Sequence, residues 1–322
     1  VPTVRFVVVG AGAIGGVVGG LLARSGADVA FVARGGHGRR IASEGLTVRT
    51  PAETFVAHAP VVERPEDLDP GDDDVVLLAV KSQDTAGALD GLVAAGFAPR
   101  TPVACLQNGV SNEPTVAERF DRVYGVVVMA PTLHLQPGVV EAKAGPVAAI
   151  LDVGRYPDGV DDVARALAAA FTAAGMVSEA RPDIMRWKWT KLLLNLGNPI
   201  EVVCGPAARV GDLGRAVHRE GRAVLDAAGI AYASSEEDRA RRGDLLQSTR
   251  SPDTGGSTWQ SVTRGGSIET DFITGEIVRL GERVGVPTPA NAVLLHRAHE
   301  VAEAGRGPGH DDPADILAAA GY

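Results

Sequence analysis

Residues 4–26, VRFVVVGAGAIGGVVGGLLARSG, decide the fold. Residues 4–9 are apolar except for Arg5, the composition of a short central strand in a parallel sheet. The turn Gly10, Ala11, Gly12, Ala13, Ile14, Gly15 follows at once, and the stretch after it reads as a helix. A strand, a GxGxxG turn and a helix in that order predict a dinucleotide site. Gly10 permits the tight turn, Gly12 lets a pyrophosphate approach the backbone, and Gly15 lets helix and strand pack closely. Ala13 and Ile14 open a helix whose unpaired amides point at the phosphates.

Working outward, the next strand, residues 27–33, ends at Arg34, and no acid appears before Glu44. An acid at this strand end would accept from ribose hydroxyls, whereas a cation suits a 2'-phosphate, so the cofactor expected is NADPH/NADP+. Arg39 and Arg40 read as a solvated basic loop, and His37 as a loop residue with at most an ancillary phosphate contact. Residues 46–62 read as a pair of short strands or an irregular excursion. Residues 75–80 and 102–106 are further strands, ending in Lys81 and in Gln107, Asn108 and Gly109. Ligands of a doubly wound sheet lie at the carboxyl ends of its strands, which makes Lys81 and Asn108 candidate contacts. Residues 123–129 and 147–153 continue the sheet, with a hairpin between Val127 and Val140 around Pro137 and Gly138. A helix over 159–175 and a short strand at 176–178 complete the first domain, residues 1–181.

The second domain, residues 182–322, opens with PDIMRWKWTKLLLNLGNPIEVVCG at 182–205. The pattern predicts one helix over 184–203, with Lys191, Asn195 and Asn198 at i, i+4 and i+7 on a single face. A lysine and two amides along one face suit a polar ligand that takes up a proton. Further helices are expected over 212–228, 235–248, 257–264 and 272–284, separated by proline and glycine loops. The last segment, from 305, has little to pack, and disorder is expected at its start. The fold expected is therefore a Rossmann-type α/β dinucleotide-binding domain followed by an all-helical domain.

Composition narrows the partners. The 322 residues carry a formal charge of -9, which attracts neither nucleic acid nor anionic membrane, and no stretch has the length of a membrane span. Asp69, Asp72, Asp73 and Asp74 match no calcium loop, and no metal is expected. The two cysteines, Cys105 and Cys204, read as buried thiols, which fits a reducing cytoplasm.

The motifs VVVGAGAIGG (7–16), VARG (32–35), VKSQDT (80–85), LQNG (106–109), KLLLN (191–195), SIETDFITGEIV (267–278) and GVPTP (285–289) together resemble ketopantoate reductases, or 2-dehydropantoate 2-reductases, over nearly the whole chain. The resemblance implies NADPH-dependent reduction of a small 2-oxo acid, ketopantoate, to pantoate on the route to pantothenate. It implies Lys191 as the general acid and Glu269 as its partner toward the substrate. It also implies Asn195, Asn198 and Ser257 as substrate contacts, Lys81 and Asn108 as cleft residues at the nicotinamide end, and Arg34 as the 2'-phosphate clamp. Two positions depart from the family pattern: Asn195 and Asn198 are three apart where many members have four, and Thr274 stands where asparagine is common. These departures motivate an alternative, an NADP-dependent enzyme acting on another 2-oxo or 2-hydroxy acid. A third reading is a noncatalytic NADPH-binding regulatory protein, which the retention of both Lys191 and Glu269 disfavours. By fold analogy the helical domain is also a candidate homodimer surface.

Overall fold

Arg5–Val9 forms β1 in the computed structural model, which describes residues 4–248, 255–263 and 265–322. Its side chains alternate between two cores. Phe6 and Val8 pack with Val17, Val18 and Leu22 of α1 (Ala13–Arg24), while Val7 and Val9 face the opposite side. Burial on both faces is why the strand reads as a nearly unbroken apolar run. β2 (Asp28–Val32), α2 (Gly35–Glu44), β3 (Leu46–Arg49), β4 (Thr54–Ala57) and β5 (Val61–Val62) follow. Next come β6 (Asp74–Leu78), α3 (Thr85–Ala95), β7 (Val103–Cys105), α4 (Asn112–Ala117) and β8 (Val123–Met129). β9 (Thr132–Gln136), β10 (Val139–Ala142), β11 (Ala144–Pro146), β12 (Ile150–Arg155) and α5 (Asp162–Ala173) end the α/β part.

The main sheet has seven strands in the order β12-β8-β7-β6-β1-β2-β5, parallel throughout except for β12 against β8. β1 runs between β2 and β6, so strand order reverses beside the glycine turn and opens a crevice at the carboxyl ends. A four-stranded sheet, β4-β3-β10-β9, packs against α1. The hairpin around Pro137 and Gly138 joins β9 to β10, whereas Val127 lies in β8 and pairs with Asp152. The expected hairpin partner was therefore wrong, because β8 is claimed by the main sheet. Arg39 and Arg40 sit on α2, not on a loop.

The helical part comprises α6 (Ile184–Asn195), α7 (Asn198–Val203), α8 (Asp212–Ala227), α9 (Ser235–Arg242), the short β13 (Leu246–Ser248), α10 (Ser257–Thr263), α11 (Thr274–Val284), α12 (Pro289–Glu303) and α13 (Pro313–Ala319). The single helix expected over 184–203 is broken. Pro199 has no N–H to give Asn195 and its ring clashes with that carbonyl, so α6 stops and a new helix starts with the proline in its first turn. α12 is held by the buried Glu220 of α8, whose carboxylate accepts from the backbone N–H of Ala290 at 2.9 Å and of Asn291 at 3.0 Å. An anion at a helix N-terminus satisfies orphan amides and complements the dipole. The end of the chain is tied down: Gly309 and His310 donate to Val202 and Val203, Asp312 caps α13, Ile316 is buried, and the Tyr322 hydroxyl donates to Glu220 at 2.7 Å.

The chain divides into two units, one running to Lys188 and taking back the segment from Ser235, the other beginning at Trp189 and holding the remaining helices. A single cut after residue 181 was expected. The difference has a physical cause: Arg186 of α6 pairs with Glu237 at 2.7 Å, Arg241 of α9 hydrogen-bonds Asp152, and β13 pairs with β11. Among the described residues no helix is long and apolar enough to cross a membrane.

Candidate active site

The three glycines of the turn meet three different demands. Gly10 has φ +101°, and a Cβ there would lie 2.8 Å from the Val80 nitrogen. A Cβ on Gly15 would stand 2.1 Å from the Gly10 carbonyl oxygen. A Cβ on Gly12 would meet nothing within 4 Å. The first two glycines are thus required by protein packing, and the third borders open ground where a ligand's backbone approach is unobstructed. Gly12 precedes α1 without a side-chain cap, and no acid occupies the first turn that Ala13 and Ile14 begin. Uncapped N–H groups and the positive end of the dipole fit a pyrophosphate.

Beside this cradle, Arg34 precedes α2 at the end of β2, with its side chain 76% exposed and 3.8 Å from Asp84. Such an exposed pair contributes little and leaves the guanidinium able to reorient. Lys81, half-buried, precedes the turn Ser82–Asp84 after β6, and Asn108, half-buried, follows β7. Both strand-end residues therefore stand at the carboxyl edge of the sheet, as expected.

His37 has a larger role than a loop residue. Gly138 N–H donates to its Nδ1 at 2.9 Å, so the proton sits on Nε2 and is donated to the Ala11 carbonyl at 2.7 Å. The ring therefore joins the glycine turn to the β9–β10 hairpin. Burial pushes its pKa down, helped by His134 and opposed by the bond to Ala11. Because the folded value lies below the ordinary 6.5, the stability this ring contributes is complete above that pH and is lost as pH falls through the folded value. His37→Ala should cost about 1–3 kcal/mol and flatten that part of the stability profile, measured by thermal unfolding between pH 5 and 8.

In the helical unit, Lys191 is half-buried on α6 and Asn195 is buried one turn later. Asn198 does not share their helix. It opens α7, buried, with its Oδ1 accepting from Arg209 at 3.0 Å. Arg209 also donates to Glu201 at 2.6 Å and to the Leu194 carbonyl at 2.6 Å. This guanidinium bridges the break between α6 and α7, and it fixes which edge of the Asn198 amide is already engaged. Glu269 is half-buried just before a short turn, Thr270–Phe272. Thr274 is 0% exposed, and its hydroxyl has no hydrogen-bond partner among the described residues. The backbone of Ser257 opens α10, and its side chain lies outside the described residues.

Sequence reasoning gave no role to Lys188 and Glu113. The Lys188 side chain is 2% exposed and that of Glu113 0%, with Nζ 2.5 Å from Oε1. Nearby Cys105 is buried, its thiol pushed well up by burial and by Glu113 against the opposing pull of Lys188. Burial, with Asp311 and Asp312, pushes the half-buried Cys204 up to about 12. Among the described residues no group of three His, Cys, Asp or Glu could hold a metal ion.

Residues 6–156 match the family model described as ketopantoate reductase PanE/ApbA, and residues 183–302 match the model of its C-terminal part. The chain belongs to the ketopantoate reductase family. A 2-dehydropantoate 2-reductase of Pyrococcus horikoshii is 31% identical over 307 residues, covering 90% of this chain and 95% of the relative. The crystal structure of a PanE/ApbA family ketopantoate reductase from Ralstonia eutropha superposes with a TM-score of 0.80 at 29% identity, covering 94% of this chain and 99% of that one. A ternary structure of D-mandelate dehydrogenase with NADH and anilino(oxo)acetate also reaches 0.80, covering 94% and 99%, but at 21% identity it speaks to fold alone. Membership in the ketopantoate reductase family makes the chain an oxidoreductase that works with a nicotinamide dinucleotide.

Proposed function

We propose that the protein reduces 2-dehydropantoate (ketopantoate) to pantoate with NADPH. What carries the reading is Lys191 one turn before the buried Asn195 on α6, in a chain of this family. The bound dinucleotide supplies a hydride to the ketone carbon of the substrate. As that bond forms, the carbonyl π electrons move onto oxygen, and the Lys191 ammonium stabilises the growing charge and then gives it a proton. Asn195 orients the substrate through hydrogen bonds, and Glu269 accepts from its hydroxyl group. Gly12, Ala13 and Ile14 present amides to the pyrophosphate, while Lys81 and Asn108 bound the nicotinamide end.

The choice of NADPH rests on Arg34, which no acid accompanies before Glu44 along the chain. A charge-assisted contact to the 2'-phosphate is worth about 2 kcal/mol, so Arg34→Ala should weaken NADPH about 30-fold and leave NADH unchanged. Titration calorimetry with both cofactors checks this; equal losses for the two would reject the clamp.

A second reading, reduction of a different small 2-oxo acid, is favoured by Asn198. Its amide oxygen is engaged by Arg209 on a separate helix, so it meets a substrate differently from an amide one turn along α6. Initial rates of NADPH oxidation across ketopantoate, pyruvate, 2-oxoisovalerate and phenylglyoxylate decide between the two. Fast turnover of ketopantoate supports the first, and a background rate beside a fast competitor rejects it.

A further inference from the structure

We infer that Lys188, paired with Glu113, is a positioning residue that holds the strand-end loop bearing Asn108. Lys188 Nζ donates to the Gln107 carbonyl at 3.0 Å. That carbonyl belongs to the peptide whose nitrogen is Asn108's own, so the bond sets the plane from which Asn108 departs. The next peptide is held as well, because Asn112 Nδ2 donates to the Asn108 carbonyl at 3.1 Å. Asn108 is bracketed by two tied carbonyls.

The same network reaches the loop that carries Lys81. Gln107 Nε2 donates to the Val80 carbonyl at 2.9 Å and to Thr85 Oγ1 at 2.8 Å. The Thr85 hydroxyl in turn donates to Asn112 Oδ1 at 2.9 Å, and Asn112 Nδ2 donates to Ser82 Oγ at 3.2 Å. The ends of β6 and β7, each bearing a candidate ligand contact, are thus joined by buried side chains.

The pair has been given room to do this. β8 is apolar and fully buried, yet Gly125 interrupts it, and a Cβ there would come within 3.2 Å of Lys188 Cδ and 3.5 Å of Glu113 Oε1. A buried ion pair is a weak device for stability, since apolar side chains of similar volume serve as well or better. Glu113 meets the Lys188 ammonium through Oε1, and its Oε2 has no hydrogen-bond partner among the described residues, so its contribution is the charge that keeps a buried ammonium in place. What an apolar replacement lacks is the donor to Gln107. The catalytic consequence rests on the reductase reading above, whereas the structural consequence does not.

The test is a double-mutant cycle in the full chain. Lys188→Met alone strands a buried carboxylate, so Lys188→Met with Glu113→Leu, which removes both charges, is combined with Asn108→Ala. Two quantities are read: kcat/KM with NADPH, and backbone hydrogen exchange of segment 106–112 by mass spectrometry. Loss of the pair should lower kcat/KM about 30-fold when Asn108 is present and less than about twofold when it is alanine. Exchange of 106–112 should accelerate about tenfold while β8 stays protected. Losses that add in the combined variant, or unchanged exchange, would overturn the positioning role. If the wild type turns over no 2-oxo acid, the reductase reading falls, and the exchange comparison alone decides the role of Lys188.

Discussion

Lys191→Ala should lower kcat about 10³-fold while the NADPH dissociation constant moves less than about threefold. The asymmetry follows from when the side chain acts. Before the hydride moves, the ketone oxygen carries only partial charge and Lys191 makes an ordinary contact. In the transition state that oxygen becomes an alkoxide, and the ammonium supplies both the compensating charge and the proton. The cofactor, by contrast, is proposed to bind at the glycine turn and the ends of β2 and β6, so alanine at 191 should leave its affinity nearly unchanged. Stopped-flow absorbance at the nicotinamide band gives kcat, and fluorescence titration gives the dissociation constant. Parallel losses in both would mean that Lys191 serves folding or cofactor binding instead of the chemical step.

Asp152→Ala should destabilise the α/β unit by about 3–5 kcal/mol. This buried carboxylate accepts from Arg181 Nε at 2.6 Å, from Arg241 Nε at 2.8 Å and Nη2 at 2.6 Å, and from the Glu179 N–H at 3.0 Å. Removing it leaves two largely covered guanidiniums with only the exposed Glu179 carboxylate, 2.8 Å from Arg181 and 3.7 Å from Arg241. Burial alone would raise the Asp152 pKa, but the hydrogen bonds from Arg241 and Arg181 outweigh it and hold the carboxyl below its ordinary 3.8. Its contribution is therefore complete above that pH and is lost as pH falls through the lower folded value. Thermal unfolding followed down to pH 3 should show a steep acid limb in the wild type and a flatter one in the variant. Arg241 is also one of the ties of α9 to this unit, beside the Arg186–Glu237 pair, so limited proteolysis should cut the variant first within 235–248. Equal melting temperatures for the two proteins would remove Asp152 from this role.

The parts of this architecture that were legible in the sequence are those governed by local chemistry. The glycine turn announced itself because Gly10 and Gly15 are demanded by backbone approach, while Gly12 borders the open space where the proposed cofactor would lie. Strand ends at Lys81 and Asn108 were legible because apolar runs stop there. Pro199 also carried its signal, and the single helix drawn through it gave too much weight to the apolar pattern on either side. α12 was missed although Thr288 and Pro289 mark its start and Ala290, Leu294, Ala298 and Val301 line its buried face. What lay beyond reach was non-local. Nothing near Arg241 says that its partner is Asp152, 89 positions earlier. Lys188, set between two tryptophans, looks like any polar residue on an amphipathic helix until Glu113 and the gap at Gly125 are brought beside it. A buried charge is legible only with its partner.

Isotope tracing tests the proposed hydride transfer to a 2-oxo carbon with Lys191 as the acid. Ketopantoate is incubated with the protein and NADPH carrying deuterium at the transferable position of the nicotinamide, and the product is examined by NMR. The expected product is pantoate with one deuterium on the carbinol carbon, formed by the wild type and reduced to trace amounts with Lys191→Ala. Tight NADPH binding with no deuterium in the product from ketopantoate would contradict that transfer.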